Sequence, residues 1–159
     1  MSEVEIENRA ARAVELFKQG FNCSQAVFAS CADLYGIDEH TALRLAASFG
    51  GGIGRMRMVC GAASGMFMLA GLQNGSSTPH DSEGKMANYA LVQELAGDFK
   101  AKYGSLICAE LLGLAPKGQC ECQLDLNPRP AERTPEYYEK RPCVEMVAQA
   151  VRIYLKSIS

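Results

Sequence analysis

The sequence predicts an all-α protein: a single-domain helical bundle of about six to seven helices around a central apolar helix, spanning residues 1–159. Three observations carry that prediction. Apolar residues recur at 3/4 spacing in one segment after another, the period of a helix with one buried face. Good N-caps precede these segments and glycines follow them. No stretch shows the alternation of a half-buried strand.

The first helix is predicted over about residues 3–18, with Ile6, Ala10, Ala13, Val14 and Phe17 as its stripe and Gly20 as its stop. The second begins at Asn22, where Gln25 stands three residues on and completes a capping box. It is expected to run unbroken to about Tyr35 and to stop at Gly36, with Cys23, Val27, Cys31 and Leu34 on one face. A third follows Asp38 to about Phe49. The run GGGIG (Gly50–Gly54) and the pair Arg55 and Arg57 come next.

The segment from about Met58 to Leu72 is apolar nearly all round and is therefore the predicted central helix. Its Gly61 and Gly65, four apart, admit a neighbouring backbone. The turn-forming stretch from Asn74 to Gly84 separates it from a long helix over about Lys85–Tyr103. That helix carries a 3/4 stripe of Met86, Tyr89, Val92, Ala96, Phe99 and Tyr103. Ser105 is placed to cap a helix that holds Cys108.

From Pro116 to Pro142 the chain changes character. It holds five of the six prolines together with Cys120 and Cys122, and reads as an irregular arm with one helical turn at Pro135–Tyr138. Pro142 then opens the last helix, whose inner face is Cys143, Met146, Val147, Ala150 and Tyr154.

Composition narrows the function. A formal net charge of -2 gives no case for nucleic acid or an anionic membrane as partner. No stretch approaches the ~18 apolar residues of a membrane span, so no membrane insertion is expected. The segment MSEVEIENRAARAVELF has no long apolar run and predicts no export signal, so the expected compartment is the cytoplasm. Seven cysteines are many for a cytosolic chain, where thiols stay reduced unless they are catalytic, redox-sensing or metal-bound.

Four of them, Cys23, Cys60, Cys108 and Cys143, fall where helices are predicted to begin. Free amides and the positive end of the helix dipole favour a thiolate there, the form that attacks disulfides and binds metals. Four thiols primed alike suggest one site. The plainer alternative is that each is a small buried hydrophobe. Cys31, mid-helix on an apolar stripe, reads as core. Cys120 and Cys122 form a C-x-C pair that could resolve a mixed disulfide or bind a soft metal. GGGIGR lacks the preceding strand and the Lys-Ser/Thr ending of a phosphate loop. It reads as a tight turn against the central helix, with an anion held near Arg55 or Arg57 as the alternative. His40 and His80 read as surface residues.

The order FNCSQAV (Phe21–Val27), FGGGIG (Phe49–Gly54), CGAASG (Cys60–Gly65) and two later cysteines resembles the C_GCAxxG_C_C family, whose redox activity is inferred from its cysteines. The resemblance covers about Ala13 to Tyr154. It falls on Cys23, Cys60, Gly61, Ala62, Gly65, Cys108 and Cys143. One departure shows: the family label writes Gly before Cys, and this chain has Cys60 before Gly61. The resemblance implies a redox-active protein without a stated substrate. Its members often occur near transport genes, which implies a redox partner linked to a transporter.

The leading expectation is thus a thiol/disulfide redox protein, an oxidoreductase in which Cys60 attacks and Cys23, Cys108 or Cys143 resolves, with Gly61, Ala62 and Gly65 lining the site. The alternative is a metal-binding protein, in which the same four cysteines hold zinc or an iron–sulfur cluster. A structural or adaptor protein with packing cysteines is the third reading.

Overall fold

A computed structural model describes residues 1–116, 118 and 124–159. Cys120 and Cys122 lie outside the described residues. Among the described residues, eight α-helices follow in order: α1 (Glu3–Lys18), α2 (Cys23–Ala29), α3 (Glu39–Ala46), α4 (Gly61–Asn74), α5 (Ser82–Tyr103), α6 (Cys108–Leu111), α7 (Pro135–Lys140) and α8 (Cys143–Ser157). Single 3₁₀ turns occupy Ala32–Tyr35 and Ala47–Phe49. No strand occurs among the described residues, and Val59 and Ile107 form one isolated antiparallel bridge. The fold is all-α, as the periodicity predicts. No helix is long and apolar enough to cross a membrane.

One hydrophobic core joins α1, α2, α4, α5 and α8. Helix α1 lies along α8, while α4 packs against α2, α5 and α8 and is buried at Gly61–Met66, Leu69 and Ala70. Leu16 and Phe17 of α1 and Tyr154 and Leu155 of α8 are fully enclosed. Each such aliphatic or Phe side chain contributes ~1.5–3 kcal/mol by leaving water. Three exposed or half-exposed ion pairs, Arg9–Asp33, Arg12–Glu39 and Arg152–Glu7, add only a little each.

The structure departs from the predicted helices in three places, two boundaries and one buried face, each with a physical cause. The helix expected over Asn22–Tyr35 breaks before Cys31. The Ser30 hydroxyl donates back to the Val27 carbonyl at 2.8 Å, and the Arg9 guanidinium donates to the Ser30 carbonyl at 2.9 Å. These bonds take up carbonyls that a continuing helix needs. Cys31 nevertheless has no exposed surface and is core.

The central helix begins at Gly61, later than its apolar pattern suggests. Residues ahead of it run extended instead: the Cys60 N–H donates to the Leu106 carbonyl (2.7 Å) and the Cys108 N–H to the Met58 carbonyl (2.6 Å). In α5, Met86 and Tyr89 are exposed rather than inward. The Asn88 amide donates to the Ala70 carbonyl and to Asn74 Oδ1, which turns the Asn88–Leu95 side of α5 onto α4. His40 and His80 are exposed.

Candidate active site

Cys23, Cys108 and Cys143 are the first residues of α2, α6 and α8, and Cys60 is the N-cap of α4. All four line one cavity of about 390 Å³. The four helix starts meet there for reasons that can be followed along the chain.

Asn22 caps α2 in a reciprocal box: its Oδ1 accepts from the Gln25 N–H at 3.0 Å, and Gln25 Oε1 accepts from the Asn22 N–H at 3.0 Å. The Ser24 hydroxyl donates to the Ala46 carbonyl at 2.7 Å, which ties α2 to the end of α3. Helix α4 can approach α2 because Gly61 and Gly65 face it. A Cβ at Gly65 would stand 2.8 Å from Val27 Cβ, and one at Gly61 would stand 3.1 Å from Cys23 Cβ. The extended pairing of residues 58–60 with 106–108 then sets Cys60 beside the Cys108 segment.

The glycine-rich run is the second structural device. Gly51, Gly52, Ile53, Gly54, Arg55 and Arg57 all have positive φ, between 55° and 73°. Three of them carry side chains, a strain of order 1–3 kcal/mol each that the surrounding bonds must offset. The Arg57 N–H donates to the Gly51 carbonyl and the Met58 N–H to the Gly52 carbonyl, closing the loop on itself. At Gly52 a side chain is excluded as well: its Cβ would meet Cys108 Cβ at 2.7 Å. The loop delivers Arg57 into the protein, where it is 5% exposed and its Nη1 donates to Cys108 Sγ at 3.6 Å.

The Pro-rich arm closes the far side. Pro128, Pro130, Ala131 and Arg133 line the cavity, followed by Tyr137 of α7 and Arg141. Arg55 donates to the Asn127 carbonyl and ties the arm to the glycine-rich loop. Arg133 donates to the carbonyls of Phe17 and Phe21, each at 3.0 Å, and lies over the Phe17 ring at 4.4 Å. Arg141 lies over Tyr137 at 4.5 Å.

The thiols are free and electrostatically unequal. Cys143 alone among them is held below the ordinary thiol range. Its strongest influence is the Cys23 thiol, which stabilises the Cys143 thiolate; burial opposes this, and Arg141, Arg133 and Arg57 add further stabilisation. The same contact pushes Cys23 well up, reinforced by burial. Within the pair the thiolate is favoured on Cys143 and the proton on Cys23, since Arg141, Arg133 and Arg57 are among the main influences on Cys143 and no arginine is among those on Cys23. Burial pushes Cys60 up to about 12, although the Ala63 and Ala62 amides face its sulfur without forming a regular capping bond and pull the other way. Burial also raises Cys108, against the pull of Arg57.

Of the residues predicted to line the site, Gly61 does so, whereas Ala62 and Gly65 are buried in helix packing and do not reach the cavity. Among the described residues, no group of three or more His, Cys, Asp and Glu side chains is placed to hold a metal ion. Sequence reasoning did not single out Arg133, Tyr137 or Arg141. Their only signal was the anomalous Pro-rich arm that carries them.

A family description, "Putative redox-active protein (C_GCAxxG_C_C)", matches residues 21–157. The chain belongs to the C_GCAxxG_C_C family. That match spans all four cavity cysteines, the glycine-rich loop and the arginine-bearing arm, so the C_GCAxxG_C_C pattern covers the whole cavity wall. No curated protein and no solved structure matches the chain.

Proposed function

We propose that this C_GCAxxG_C_C protein is a thiol/disulfide redox protein in which Cys143 attacks and Cys23 resolves. The observation that carries this reading is the Cys23–Cys143 contact in the shared cavity, with Cys143 the one thiol of the four held below the ordinary thiol range. A thiolate is the attacking species in disulfide exchange, and a second thiol within reach completes the exchange. Cys60 was the candidate that the run CGAASG brought forward, but burial keeps it protonated near neutral pH. It becomes a cavity wall residue in this scheme.

The balance is simple. Cys143 thiolate attacks one sulfur of a disulfide RS–SR, a Cys143–SR bond forms, and RS⁻ leaves. Cys23 gives up its proton to the departing thiolate and attacks Cys143 Sγ. A Cys23–Cys143 disulfide forms and the second RS⁻ leaves. The protein loses two electrons and the substrate gains them.

One equivalent of a small disulfide added to the reduced protein tests this. The expected product is a Cys23–Cys143 disulfide, located by peptide mapping without reduction. A protein whose Cys23 and Cys143 both stay reduced, or that crosslinks only at other thiols, overturns the scheme.

A further inference from the structure

Among the described residues, the charged side chains that line this cavity are all of one sign. Arg55, Arg57, Arg133 and Arg141 all line it, and among the described residues no Asp or Glu does. Among the described residues none of the four forms a salt bridge, in contrast to Arg9, Arg12 and Arg152, which do. Their polar contacts are neutral: Arg133 with two carbonyls, Arg55 with one, Arg57 with the Cys108 sulfur, and Arg141 with an aromatic face. Arg57 is the most telling of them. A buried guanidinium without a carboxylate is costly, and one protonated thiol at 3.6 Å does not neutralise it.

Four guanidiniums exceed the one negative charge that a fully ionised Cys143 would supply, so the cluster keeps excess positive charge. Guanidiniums matched to planar two-oxygen acceptors are the usual solution for carboxylate recognition. The volume of about 390 Å³ suits a small molecule, not a folded partner. We infer that the cavity selects a small carboxylate-bearing disulfide, with Arg55, Arg57, Arg133 and Arg141 receiving its carboxylates while its sulfurs meet Cys143. This rests on the redox reading above. It adds the substrate class: the disulfide of a low-molecular-weight thiol acid, reduced to two equivalents of that acid at the cost of the Cys23–Cys143 dithiol.

Three probes of similar size and different charge test it: dithiodipropionate (two carboxylates), bis(2-hydroxyethyl) disulfide (neutral) and cystamine (two ammoniums). The rate of Cys23–Cys143 disulfide formation is measured with each. It is then divided by that probe's rate with a simple model thiolate, which removes intrinsic reactivity. The anionic probe is expected to exceed the neutral one by about tenfold or more at low salt, with cystamine slowest. Raising the ionic strength should shrink the ratio.

Arg55→Gln sharpens the test. Arg55 lines the cavity but is not among the arginines that stabilise the Cys143 thiolate. Its loss should lower the anionic-to-neutral ratio several-fold. Equal corrected rates for all three probes, with the Cys23–Cys143 disulfide still forming, overturn the substrate class and leave the redox reading standing. Failure of every probe to oxidise Cys23 and Cys143 overturns the redox reading itself. An anionic preference that Arg55→Gln does not alter overturns the placement of the carboxylates on these arginines.

Discussion

The Cys23 thiol and the Cys143 sulfur meet across the starts of two helices that lie 120 residues apart in sequence, and each is the largest influence on the other's protonation. The pair favours the thiolate on Cys143, where three arginines are among the main influences, over Cys23, where none is. The first prediction follows from this asymmetry. Cys23→Ser should still attack a small disulfide but stop at the Cys143 mixed disulfide, visible as a stable mass adduct. Cys143→Ser should form such an adduct at Cys23 only slowly, since burial still raises that thiol and none of its largest influences favours the thiolate. An adduct in Cys143→Ser that forms as fast as in the native protein would remove Cys143 from the attacking role.

The pH dependence has a definite sign. The attacking form is the thiolate, and the Cys143 pKa is lowered from the ordinary thiol value of 9.0. The rate of the first exchange step, measured with the neutral disulfide, should therefore be level above that lowered pKa. It should fall about tenfold per pH unit below it. Arg141→Gln removes the largest arginine contribution and should shift the midpoint upward, whereas Arg141→Lys should shift it less, since the charge is retained. A midpoint that stays put in Arg141→Gln would detach the arginines from the thiolate.

The buried thiols set an alkaline limit on stability. Cys60 is raised to about 12 and Cys31 to about 11, both chiefly by burial, and Cys23 and Cys108 are also raised. For such a group the folded protein holds its proton while the unfolded chain releases it above the ordinary thiol pKa. The contribution is therefore intact below about pH 9 and lost as pH rises toward the folded value, at about 1.4 kcal/mol per pH unit for each thiol once it ionises in the unfolded chain. Cys143 works in the opposite direction: its lowered pKa stabilises the fold above pH 9, and that part is lost as pH falls through the folded value. The raised thiols outnumber it. Denaturant midpoints should drop between pH 9 and 11, and Cys31→Ala should make the drop shallower.

Much of this arrangement is legible in the sequence, and the boundary of legibility has a physical cause. Features set by neighbours in the chain could be read directly. Asn22 and Gln25 form the capping box that their spacing predicts, and Cys23 consequently opens α2. Gly61 and Gly65 mark the close approach of α2 and α4. Features set by distant partners could not. The break at Ser30 depends on Arg9 from another helix, and the outward turn of Met86 and Tyr89 depends on Asn88 meeting the end of α4. The same holds for the charge on Cys143. Local sequence gives four similar helix starts, and it is the Cys23 thiol, with Arg141 and Arg133 from the arm and Arg57 from the glycine-rich loop, that makes Cys143 different from the others.

Gly65 offers a stability test of the packing that brings the thiols together. It lies mid-way along α4, where Gly is a poor helix former, so alanine would gain about 1 kcal/mol from propensity alone. The interface decides otherwise. The added methyl would stand 2.8 Å from Val27 Cβ and 3.2 Å from the Ser24 carbonyl, on a face with no room to yield. Overpacking of this kind costs about 1–3 kcal/mol, which exceeds the helical gain. Gly65→Ala should therefore lower the unfolding midpoint. Because Ser24 and Cys23 are adjacent on α2, it should also slow formation of the Cys23–Cys143 disulfide in the folded protein. Gly71→Ala is the matched control: it lies in the same helix, its added Cβ meets nothing within 4 Å, and it should be neutral or stabilising. Equal effects at the two positions would mean that the close contact of α2 and α4 does not govern the spacing of the thiols.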